Sequence, residues 1–184
     1  MPYAMFHQYF PEIAKVETRS ITISREANLG LPAGNYAFLE MFCNESGCDC
    51  RRVFFWVLSE RSRSCAAVIA YGWESPSFYA KWMKDTDPFT ISELKGPVLN
   101  AGSPQSDLAP ALLDIVRNLL LQDRAYMDRI KRHYSMFRAK IDGTGRGRRT
   151  PGSSNKRNNV LLPGKHVDIQ LAFPYSSPVG KAIS

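Results

Sequence analysis

Apolar residues in the first part of the chain come in short runs of strand length, and beyond about residue 75 they recur at helical spacing. Val16 to Ser24 alternates and is rich in Ile and Thr. Tyr36 to Cys43, Val53 to Leu58 and Ala66 to Trp73 are compact apolar runs. Turn chemistry bounds each of them. Asn28 to Gly34 holds two glycines and a proline, the segment between Cys43 and Cys50 holds Gly47, and Ser59 to Ser64 is polar throughout. Connections this short join neighbouring strands, so the pattern predicts a four-stranded antiparallel meander.

From residue 75 the period changes. Ser75-Pro76 caps and starts a helix in which Phe78 pairs with Trp82, and Tyr79 with Met83, at i, i+4. Asp107 is the expected N-cap of the next helix, because it leaves Pro110 where a missing N–H breaks no intrahelical bond; Leu108, Leu112, Ile115, Val116 and Leu119 form its apolar face. Asp123 caps a longer helix with Tyr126, Ile130, Tyr134, Phe137 and Ile141 on one stripe and Gly143 suited to its C-terminal cap. Strands followed by helices define an α+β domain over residues 1–142, with the C-terminal helices packed on the meander.

Length and charge narrow this picture. At 184 residues and 44% hydrophobic, the chain supports one main domain with its own core. Residues 1–142 carry 17 Lys and Arg against 16 Asp and Glu, whereas residues 143–184 carry 7 against 1. The net charge of +7 is therefore a property of the tail, whose Gly, Ser, Asn, Pro and Arg show no period and predict disorder. Such a tail clings to nucleic acid through salt-sensitive, sequence-blind contacts, or is a solvated appendage without a dedicated partner. No run approaches a membrane span, and the first residues lack a signal-peptide pattern, so a soluble, cytoplasmic protein is expected.

Candidate chemistry concentrates in one loop. Cys43, Cys48 and Cys50 form a C-x4-C-x-C cluster around Gly47. Clustered thiols in a reducing cytosol are metal ligands or redox groups more often than structural disulfides. Zinc is the expected metal, because thiolates about 2.3 Å from a tetrahedral ion suit a loop folded back at a glycine. Cys65 lies one strand further on, some 25 Å away at roughly 3.3 Å per residue, and is excluded as the fourth ligand. His133 is favoured for that position, since it sits about 60° from Ile130 around the last helix, at the edge of its buried stripe. Asp49, Glu45, His7 or water are the alternatives. Arg51 and Arg52 follow the loop directly and would offset the negative charge of a metal on three thiolates.

The segments Tyr9 to Arg19, Phe42 to Val53 and Tyr71-Gly72-Trp73-Glu74-Ser75-Pro76 resemble an uncharacterised bacterial family of small proteins of unknown function. The resemblance covers roughly residues 9–141 and implies no activity. Two function classes remain. The first is a binding or interaction module, stapled by zinc and recognising a protein or nucleic acid; for nucleic acid, Arg51, Arg52, Phe54, Phe55 and Trp56 interleave charge with stacking surface. The second is a thiol-redox or zinc-dependent enzyme or sensor using Cys43, Cys48 and Cys50, with Asp49, Glu45 or Glu74 as the base beside an open metal position. No carboxylate pair, histidine pair or hydroxyl nucleophile supports the enzyme independently, so the module ranks first.

Overall fold

The structure, a computed structural model, describes residues 3–27 and 29–145 of the chain. It opens with a short strand β1 (Tyr3–Met5) and two small helices, α1 (Phe6–Tyr9) and α2 (Pro11–Glu17). Pro11 takes the first helical position of α2, where its missing N–H is harmless. Val16, expected to begin a strand, instead lies on the solvent side of α2. The meander then follows as β2 (Arg19–Ile23), β3 (Gly34–Cys43), β4 (Arg52–Ser59) and β5 (Ser64–Gly72), each antiparallel to the next.

The sheet is larger than four strands. β1 pairs with Met41–Cys43 on the same edge of β3 that β2 uses lower down, so α1 and α2 bridge two strands lying end to end. Beyond β5 come α3 (Pro76–Met83), α4 (Pro88–Lys95) and a two-residue strand β6 (Val98–Leu99) that pairs with β5 and completes six strands. Ser75 caps α3 by accepting from the Phe78 N–H, as the sequence expects, and Asp87 does the same for α4 through Thr90.

The last two helices are α5 (Ala109–Asn118) and α6 (Arg124–Gly145). Asp107 does not cap α5. The helix begins two residues later, and it is Ser106 whose Oγ accepts from the Leu108 N–H at 3.2 Å while donating to the Ala66 carbonyl at 2.7 Å, which ties the helix start to β5. Asp123 does cap α6, accepting from Tyr126 N–H at 3.1 Å. Gly143 lies inside α6 rather than terminating it, and the expected basic tail is, from residue 146 on, outside the described residues.

The two faces of the sheet have different fates. Phe38, Phe42, Phe55, Val57 and Ile69 point to one side and pack with Leu112, Val116, Ile130 and Phe137 of α5 and α6. Burying side chains of this size stabilises by about 2–3 kcal/mol each. Met41, Phe54, Val68 and Ala70 point to the other side, where Tyr3, Trp56 and Val98 pack on them. Helices on one face of an antiparallel sheet make this an α+β fold.

Candidate metal centre

Cys43 is the last residue of β3, and Cys48 and Cys50 lie in the loop that returns the chain to β4. Gly47 has φ of +74°, and the Cys48 N–H donates to the Glu45 carbonyl at 3.3 Å, which closes the turn. The loop is anchored to α6 at two points: the Gly47 N–H donates to Asp142 at 2.9 Å, and Arg138 donates to the Cys43 carbonyl at 2.9 Å. The three Sγ atoms come within 4.8 Å of one another. A tetrahedral ion with 2.3 Å bonds to sulfur needs about 3.8 Å between sulfurs, so a small contraction is enough to close the set. These residues can hold a metal ion.

Cys43 and Cys50 are buried and Cys48 is half-buried. Burial pushes the Cys43 thiol upward and drives that of Cys50 to about 12, with the neighbouring sulfurs adding to the effect. Backbone N–H groups act the other way, from Glu45 onto Cys43 and from Arg52 onto Cys50. Both thiols are favoured in the protonated form near neutrality, so a cation binding them would have to displace the protons.

Arg51 fixes the exit of the loop. Its φ of +47° is unfavourable for a residue with a Cβ, and four partners hold it there. Its guanidinium takes both Asp49 oxygens at 2.9 Å and Glu74 at 3.1 Å, its N–H donates to Tyr134 Oη at 3.3 Å, and its carbonyl accepts from Tyr79 Oη at 3.0 Å. Tyr79 reaches that carbonyl over Gly72, where an added Cβ would sit 2.1 Å from the phenol oxygen. Asp49 and Glu74, expected as bases beside an open metal position, are thus partners of Arg51.

His133 is not in the sulfur group. Its Nδ1 lies 2.8 Å from Glu40 and its Nε2 2.9 Å from Glu17, with the Phe6 ring stacked on it at 4.2 Å between centroids. The reason is strand parity. Glu40 and Cys43 are three residues apart on β3, so they face opposite sides of the sheet, and His133 meets the Glu40 side. Burial alone would raise Glu17, but the His133 hydrogen bond and the Arg132 charge outweigh it and hold the carboxyl below its ordinary value. His7 lines the same small cavity as His133 and Glu40, and burial lowers its pKa. Cys65 bonds to Ala67 at 3.5 Å and pairs with Leu58 at the far end of the β4–β5 hairpin, outside the sulfur group as strand length requires.

The aromatic residues of β4 do not form an open stacking surface. Phe54 and Phe55 are buried on opposite faces of the sheet, and Arg52 is buried over the Phe54 ring. A larger cavity of about 650 Å³ lies between α3, α4 and β6, and no cysteine lines it. No family model, curated protein or solved structure matches this chain. Among the described residues, no helix is long and apolar enough to cross a membrane.

Proposed function

We propose that Cys43, Cys48 and Cys50 bind one zinc ion, which staples the β3–β4 loop to the end of the sheet, and that the domain serves as a binding module. The convergence of three sulfurs within 4.8 Å carries this reading. Metal binding to thiols that must give up their protons couples stability to metal and to pH. A chelator should therefore lower the melting temperature and added zinc restore it; a melting temperature indifferent to both would refute the staple. A reducing cytoplasm suits the site, because it keeps the thiols available to the ion.

The same proximity supports a second reading, thiol exchange between Cys48 and one of its buried neighbours. The high thiol pKa of Cys50 disfavours it, since the thiolate is the nucleophile. Mass analysis after mild oxidation separates the two: the staple predicts thiols protected by zinc, and exchange predicts a disulfide formed in its presence. Residues 143–184 hold the excess positive charge, and we assign any sequence-blind nucleic-acid contact to them. Salt-dependent binding that survives their deletion would move that role to the folded domain.

A further inference from the structure

The cavity of about 650 Å³ between α3, α4 and β6 falls within the range of about 300–1,000 Å³ that small-molecule sites occupy. Its wall is apolar and stiff. Pro76 and Pro88 open α3 and α4, Pro97 precedes β6, and all three line the space together with Ile91 and Val98. A proline has no N–H to offer and no rotamer freedom to lose. This wall therefore supplies few backbone donors and is already formed when a ligand arrives.

The charge on that wall is positive and only half balanced. No Asp or Glu is among the lining residues, whereas Lys95 and Arg117 are. Arg117 is paired with Asp114 at 3.1 Å. Lys95 is half-buried and its Nζ donates to the Glu74 carbonyl at 2.9 Å, which leaves two of its three donors without a protein partner. Among the described residues it forms no ion pair. The acids nearest in sequence have other partners: Glu74 accepts from Arg51, Asp87 from the Thr90 N–H and hydroxyl, and Asp85 from the Asp87 N–H. Glu93, the remaining acid of α4, is exposed and does not line the cavity.

We propose that this cavity binds a small organic acid, an apolar body with one negative charge whose carboxylate meets Lys95. The apolar wall contributes buried area, and a single charged donor fixes the ligand's orientation. Lys95 balances one negative charge, which favours a carboxylate over a phosphate monoester of about −1.5 to −2. No cysteine lines the cavity, so this site stands whether or not the β3–β4 loop holds a metal.

The test is an NMR titration of the full chain with three probes that share one ring system: naphthaleneacetate, its neutral amide, and naphthylethylamine, which is a cation. Saturable shifts at the Ser92, Lys95 and Val98 amides are expected for the acid, with the neutral amide about 10-fold weaker and the amine weaker still. Equal affinity for the acid and its amide would overturn the anion class, and no saturable shift with the acid would overturn the site. Lys95→Met is expected to bring the acid down to the affinity of the amide, and Lys95→Arg to retain most of the difference. An acid that binds Lys95→Met as tightly as the parent would overturn the role of Lys95. Ser92 is exposed on α4 and lines the cavity, so Ser92→Trp fills the space from outside the core and is expected to abolish binding of both. Shifts that persist in Ser92→Trp would put the probe elsewhere on the protein and overturn the assignment. Should Lys95→Met fail to fold, the three-probe comparison in the parent and Ser92→Trp still decide.

Discussion

Replacing Glu40 by Leu tests the buried polar group that joins the N-terminal helices to the sheet and α6. Glu40 is 5% exposed and His133 1% exposed, and the two meet at 2.8 Å. Leu removes the acceptor and leaves the His133 Nδ1 buried without a partner, which costs about 1–3 kcal/mol for a neutral group and about 3–5 kcal/mol for a charged one. Glu17, partly exposed on the other ring nitrogen, keeps its bond, so a value of about 3 kcal/mol is expected. Removing both members together should be far milder, because a fully apolar pair leaves nothing unsatisfied. Glu40→Leu with His133→Phe is thus expected to lose much less than the sum of the single losses. Urea denaturation of the four proteins of this cycle measures it. Single losses below about 1 kcal/mol, or losses that simply add, would refute the claim that this pair is a desolvated unit.

Other predictions follow from the same contacts. Glu17 has a depressed pKa in the folded protein, so its contribution is complete above its ordinary value of 4.5 and is lost as pH falls through the folded value. Stability measured between pH 6 and pH 3 should fall less steeply in Glu17→Gln. Gly72→Ala would drive a methyl into Tyr79 and should destabilise by about 1–3 kcal/mol, read by thermal unfolding; an unchanged melting temperature would contradict the close approach. Arg51→Ala keeps the unfavourable backbone angle while removing the bonds to Asp49 and Glu74, so zinc affinity should drop, and an affinity equal to the parent's would show that the loop exit is held by the two tyrosines alone.

The meander was legible because β2 to β5 combine apolar runs with turn residues at every join, and Ser75-Pro76 and Asp123 mark helix starts through local hydrogen bonds that depend on little else. Asp87-Pro88 carries the same signal as Ser75-Pro76 and starts α4, a helix too weakly amphipathic to be seen by period. β1 and β6, of three and two residues, are held only by pairing with β3 and β5, so no local pattern records them. Asp107 was outcompeted by Ser106, whose hydroxyl also bonds to the Ala66 carbonyl, a tertiary contact invisible in the local sequence. Within the site, the three cysteines were legible from spacing. The error over His133 came from placing it by helix angle without counting strand parity; Glu40, a lone acid inside the apolar run Tyr36 to Cys43, was the available sign of a buried polar partner on that face.

The most direct test of the central claim is the metal content of the protein purified without added metal, compared with Cys48→Ser and Cys65→Ser. One equivalent of zinc per chain is expected in the parent and in Cys65→Ser, and none in Cys48→Ser. A parent free of metal, or zinc that survives Cys48→Ser, would contradict the account.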